Sequence, residues 1–487
     1  MIFCYLFFLL FLSPTISAQN FDSKLHEAYL DVLSLKLNKA RAIKNLTFDH
    51  NIDKAFQVYI LSLSDVLELL LVKNQVQYDK YRSHQRDYHN AIKDISDEDD
   101  FIDFVGTEIQ VHTSLARIRY GDQISGAFKL IRSYNTIKKF DSAYYDSNPY
   151  FLKTAGLLNI MLDLFPDQYN WILSMFQVKP DISEGFKQLE KLSKLNSVFR
   201  LESMMLYAIS ESFFGNNKSA GYNIFKNQYE NNFNNLLYNY LYGISSIKTQ
   251  NNDQAIICFD SCIKFEGNFL NIPLINYYRA ESYLKKREYN KASLLYSFYL
   301  DRPNGNEFIK DTYYKLFHIN LLLGDSSTAL RDLENIKSKG GLDTGADKYA
   351  YNRISNNYSP NLLLFESRLL FDGGYYDQSL KILESFKMSK PYNQEDQAEY
   401  FYRKARNLQK TGKYEAAIES YQIVADNESI SQYYFWANSW IQLGNIYRIR
   451  GNTEYASDCY KRAASYKGKE YRNSITTEAK AALKELN

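Results

Sequence analysis

From about residue 200 onward, apolar and small residues return at steps of three and four, and the period breaks at regular intervals. The last interval is the clearest. Trp440, Leu443, Gly444 and Tyr447 share one helical face, Gly451 interrupts, and Ala456, Tyr460 and Ala463 then share another. This predicts two antiparallel helices that cross closely at the small residues Gly444 and Ala456, with Gly451 turning the chain. Phe401, Ala405, Leu408, Gly412, Tyr414, Ala417, Tyr421 and Val424 repeat the pattern. Further copies run back through Leu363 to Leu383, Tyr313 to Leu333 and Ala280 to Tyr296, then through Gly243 to Cys262 and Ala208 to Ile224. The predicted turns fall at 215, 250, 287, 324, 374, 412 and 451, spaced by 35, 37, 37, 50, 38 and 39 residues. The 50-residue interval contains the Gly-, Asp- and Asn-rich stretch 338–360, which reads as a loop.

The order W-x2-L-G-x2-Y, then a small residue, an aromatic and another small residue, resembles the tetratricopeptide repeat. That resemblance implies an all-α, right-handed superhelical solenoid over residues 199–487, in which a concave face built by the first helices binds a protein or peptide. It implies no cofactor. Residues 19–198 also read as helical but irregular, with Leu25, Leu33, Leu37 and Ala40 and then Ala55, Tyr59, Leu63, Val66 and Leu70 marking two faces. Ile95 to Asp103 reads as an acidic connection. Within 151–192, the run from Gly156 to Pro166 followed by Gly185 and Leu189 resembles a segment of the eukaryotic tetratricopeptide-like inclusion-body clearance family.

Composition sharpens the compartment more than the chemistry. Residues 2–12 form an apolar run too short to span a bilayer, and Ser13, Pro14 and Ala18 follow it as the tail of an export signal over 1–18. No later stretch is expected to cross a membrane, so the mature chain is expected in the periplasm or secreted. Lys and Arg total 58 against 56 for Asp and Glu, a balance that argues against a nucleic-acid partner. The 43 Tyr and 31 Phe point to a core of large rings, and only 8 Pro leave long helices unbroken. Cys258, Cys262 and Cys459 remain after signal removal and read as small buried hydrophobes.

Few residues nominate themselves for catalysis. The six histidines have no metal-ligand spacing, Gly340, Gly341 and Gly345 do not form a phosphate loop, and Asp97 to Asp100 lack a calcium-site pattern. The sequence therefore reads as a non-enzymatic scaffold with no metal. The alternative is an exported glycan-binding protein of bacterial nutrient uptake, for which abundant Tyr and Trp would supply stacking surfaces. In the repeat frame, Tyr277, Tyr314 and Tyr402 occupy the fifth position of their first helices. His318, Arg368, Arg406 and Asn445 occupy the ninth, and Arg448 the twelfth. Arginines beside tyrosines on one stripe suit an acidic peptide or chain terminus, unless acids such as Glu281 or Glu399 pair with them first.

Overall fold

The computed structural model describes residues 21–95, 98–165, 169–215, 217–301, 305–355, 360–386 and 393–486. The expected export signal over 1–18, Asp97, Pro166 and Pro391 lie outside them. Among the described residues the regular elements are helices, and none is a strand. The chain forms two compact units. The first takes Met1–Thr249, Gln254–Arg279 and Asp301–Gly305; the second takes Gln250–Asp253, Ala280–Leu300 and Asn306–Asn487.

The turns carry the repeat. At six of the predicted positions the backbone enters the left-handed region: Gln250 at φ 60, Arg287 at 65, Gly324 at 80, Gly374 at 86, Gly412 at 78 and Gly451 at 79. Five of these close the same pair of hydrogen bonds. At Gly451, for example, its own N–H reaches the Arg448 carbonyl at 3.0 Å and the Asn452 N–H reaches Tyr447 at 2.9 Å. This is the Schellman arrangement, which satisfies the last carbonyls of one helix while aiming the chain into the next. Gly374 shows why glycine is used, because a Cβ there would sit 2.1 Å from the Gln250 carbonyl oxygen.

The crossings follow the same logic. A Cβ on Gly444 would lie 2.5 Å from the Tyr460 ring, and one on Gly243 would lie 2.7 Å from Phe259. Ala280 with Tyr296, and Ala405 with Tyr421, hold the equivalent positions, and all four are fully buried. A small residue on one helix thus leaves room for a ring on its partner, which explains the heavy use of tyrosine.

Two expectations need correction. The stretch 338–360 contains a helix, Gly345–Ser355. Thr344 and Asp347 form a reciprocal cap at its start: the Asp347 N–H donates to Thr344 Oγ1 at 3.0 Å, and that hydroxyl donates to the Asp347 carboxylate at 2.6 Å. Ala350 and Ile354 then pack against Tyr314 and Phe317. The acidic connection is shorter than expected, since the helix Asp100–Arg119 already begins at Asp100 with Asp99 as its cap. Asn51–Val72 is long and apolar enough to cross a membrane, by length and composition alone. Its apolar face is instead committed to the protein: Ala55, Phe56, Tyr59, Ile60 and Val66 are buried in the core of the first unit.

That first unit also buries charge. Lys153, 1 % exposed, donates to Glu108 at 2.6 Å and to Glu202 at 3.0 Å, and Tyr29 and Tyr59 donate to the other Glu202 oxygen at 2.7 and 2.6 Å. Thr154 donates to Glu108. Phe104 and Phe199 cover the ammonium group. Elsewhere in the unit, Gly156 and Gly185 meet at a helix crossing, where a Cβ on either would lie within 3 Å of the other's carbonyl oxygen.

Candidate functional site

The second unit contains a groove of about 570 Å³ whose lining draws on seven helices, five of which supply most of it. Ile309–Leu322 supplies Tyr314 and Lys315, Leu362–Asp372 supplies Arg368 and Asp372, and Gln394–Lys410 supplies Tyr402, Arg403 and Arg406. Tyr434 opens the helix Tyr434–Ile449, and Tyr349 comes from the capped helix Gly345–Ser355. In the first three of these helices the lining residues sit one, three or four positions apart, so each turn of helix presents its side chains to the same space.

The cations of the groove fall into two groups. Lys315 reaches Glu281 at 2.8 Å and Asp311 at 3.5 Å, and Arg403 pairs with Glu399. Arg368 and Arg406 are different. Among the described residues no carboxylate comes within ion-pair distance of either. Arg368 donates to the Tyr349 hydroxyl at 3.4 Å and lies 5.4 Å from the Phe365 ring centre. Arg406 donates to the Tyr402 hydroxyl at 2.8 Å and lies 4.6 Å over the Phe371 ring. The acids that might have paired with them, Glu281 and Glu399, are taken by Lys315 and Arg403.

Burial disfavours both guanidinium charges, while the surrounding phenol oxygens and Asp372 favour them, and the balance raises both above the usual arginine value. Both therefore stay protonated. Lys285, 8 % exposed, joins them in the lining, and its value is lowered because burial outweighs the pull of Glu281 and Asp372. The lining thus holds five cations, Lys285, Lys315, Arg368, Arg403 and Arg406, against the carboxylates of Glu281, Asp311 and Asp372 and of Glu399, which pairs with Arg403 from outside the lining. Planar donors between ring faces, with positive charge in excess, are suited to a carboxylate or another planar anion.

The stripe expected from the sequence does not all reach this space. Tyr314, Arg368, Tyr402 and Arg406 line it. His318 lies one turn beyond Tyr314 but is fully buried, stacked 4.1 Å from Phe365, with Nδ1 2.7 Å from the Tyr314 carbonyl oxygen. Burial lowers its pKa to about 3, so the ring is neutral. Asn445 accepts from the Tyr460 hydroxyl at 2.8 Å, and Arg448 pairs with Glu485 at 2.6 Å. Tyr277 is a buried residue of the first unit, its ring 5.3 Å from that of Tyr278.

Sequence reasoning missed Lys285, Tyr349, Arg403 and Tyr434. The Thr344-x-x-Asp347 cap was the available signal for Tyr349, because it announces a helix inside the apparent loop. Cys258, Cys262 and Cys459 are buried free thiols, and burial pushes Cys258 and Cys459 up to about 12.

Stacked helix pairs closed by left-handed turns, with a ring seated over a small residue at each crossing, define the chain as a tetratricopeptide-like, all-α repeat protein. No family model matches it, and no curated protein matches its sequence. Among solved structures, the tetratricopeptide domain of P58(IPK) is 15% identical, with 86% of this chain and 99% of that one covered at a TM-score of 0.24. Human IFIT1, solved as a dimer with m7Gppp-AAAA, is 13% identical over 92% of this chain and 96% of that one at a TM-score of 0.34.

Proposed function

We propose that this chain is an exported, non-enzymatic binding scaffold whose second unit captures an acidic protein segment or chain terminus in the groove around Arg368 and Arg406. The observation that carries the reading is the state of those two arginines. Each is half-buried, each donates to a neutral phenol and lies over a ring face, and neither makes an ion pair with a carboxylate among the described residues. A ligand carboxylate would supply the missing countercharge and could accept two parallel N–H bonds from one guanidinium. Tyr314 and Tyr402 are 1 % and 4 % exposed, so they act as walls and do not offer open stacking faces for a sugar.

The export component rests on the apolar run 2–12 and the small residue Ala18. Mass measurement of the N-terminus of protein recovered outside the cytoplasm tests it: a start at Gln19 is expected, and a start at Met1 contradicts it. For the groove, the test is fluorescence anisotropy of a peptide ending in Asp-Glu, compared with its C-terminal amide and with a Lys-rich peptide. The free-acid peptide should bind best, and Arg368→Gln with Arg406→Gln should weaken it by roughly 2–3 kcal/mol. Equal binding of all three peptides, or an unchanged affinity in the double variant, contradicts the reading.

A further inference from the structure

The first unit carries a second concentration of positive charge, remote in sequence from the groove residues. A cleft of about 600 Å³ is lined by Asp79, Arg82, Ser83, Gln85, Arg86 and His89 on the helix Gln75–Lys93, with Thr113, Arg117 and Lys129 facing them from two further helices. Asp79, Arg82, Arg86 and His89 follow one another at steps of three and four, which places them on one side of their helix. The lining has no apolar side chain.

Its charges are poorly compensated. Arg117 pairs with Asp122 at 3.1 Å and also donates to Ser125, yet its buried Nε has no acceptor. Arg82 lies 6.0 Å from the Tyr78 ring, and among the described residues Arg82, Arg86, His89 and Lys129 have no ion-pair or hydrogen-bond partner. The crowding is felt by the groups themselves. Burial first, and then Arg117 and Arg132, lower Lys129, while burial and then Lys129 and Lys93 lower His89. Arg82 and Arg86 are exposed and Arg117 and Lys129 half-buried, so the cleft presents positive charge in excess of its one lining acid, Asp79, where an external anion can reach it.

We infer that this cleft is a binding site for a compact polyanion carrying two or more tetrahedral oxyanion groups, held by Arg82, Arg86, Arg117 and Lys129. The volume suits a small molecule, and a wholly polar lining suits one with no apolar part. Several donors converging from three helices fit adjacent phosphate or sulfate groups better than a single carboxylate. This site is independent of the groove of the second unit and uses none of its residues.

The test is isothermal titration of the mature chain with inorganic pyrophosphate and with a doubly sulfated disaccharide, each at low and moderate salt. Arg82 and Arg86 are exposed, so Arg82→Gln with Arg86→Gln should leave the melting temperature unchanged. The expected result is saturable binding of one of the two probes at one site, weakened about tenfold or more by that double variant. Lys138→Gln with Lys139→Gln, two exposed lysines outside the cleft, should leave it unaltered. Tighter pyrophosphate binding assigns the site to phosphates, and tighter disaccharide binding assigns it to sulfate esters. Absence of saturable binding of both probes at millimolar concentration, or equal weakening by the two double variants, overturns the inference.

Discussion

Lys153 in the first unit is a buried cation and Arg368 in the second a half-buried one, and their surroundings differ in kind. Lys153 lies between two carboxylates, Glu108 and Glu202, whose remaining oxygens are taken up by Tyr29, Tyr59 and Thr154. Each oxygen of the two carboxylates has a donor inside the protein, and the single ammonium is shared between them. Arg368 and Arg406 have only phenols and ring faces, in a groove that opens to solvent. A closed network with every carboxylate oxygen hydrogen-bonded fixes the packing of helices, whereas an open one with cations lacking an ion-pair partner leaves a place for something else. Burial of charge alone does not mark a functional site; burial without an internal counter-ion does.

Breaking the closed network should have the largest effect. Lys153→Met leaves two carboxylates facing each other in a dry core and should destabilise the protein by about 3–5 kcal/mol, read as a large fall in melting temperature. A small effect would mean that the network is hydrated, and the contrast with the groove would collapse.

Acid separates the two regions less and tests both cores. His112 in the first unit and His318 in the second are held neutral by burial, each with a pKa lowered to about 3. The unfolded chain takes up these protons near the ordinary value of about 6.5, so stability is full above that pH and is lost as pH falls towards 3. At pH 5 each should cost about 2 kcal/mol relative to pH 7. Thermal melts across this range should show the loss, and His318→Gln should flatten part of it. An acid response identical in that variant would mean His318 is already protonated when folded.

Packing of the repeats gives the next effect. Gly444→Leu should cost about 1–3 kcal/mol, because any side chain there meets the Tyr460 ring. Ala456→Leu, on the facing helix and fully buried, should behave similarly. Melting within about 1 °C of the parent would place the crossing elsewhere.

The contrast also explains what could be read from the sequence. Turns and crossings are local: the left-handed positions at Gly412 and Gly451, and Gly444 as a small residue at a close crossing, follow from spacings within one repeat, although the side chain Gly444 makes room for is the Tyr460 ring. Arg368, Tyr402 and Arg406 were legible for the same reason, since they recur at fixed places in the frame. The Lys153 network was not legible, because Glu108 and Glu202 lie 45 and 49 residues away and no repeat relates them. One local hint existed, a lysine set in the apolar helix Phe151–Asp163. His318 shows the opposite limit. Its helical position was right, but the neighbour Phe365 turns that position into core.

The most direct measurement replaces both groove arginines, Arg368→Gln with Arg406→Gln, and records melting temperature and affinity for the Asp-Glu-terminated peptide on the same sample. If the arginines await an external carboxylate, the melting temperature should change by only a few degrees, since neither guanidinium makes an ion pair within the described protein, while peptide affinity falls at least about tenfold. A melting temperature that drops by many degrees while peptide affinity is unchanged would contradict this, and would make the arginines structural members of the core like Lys153.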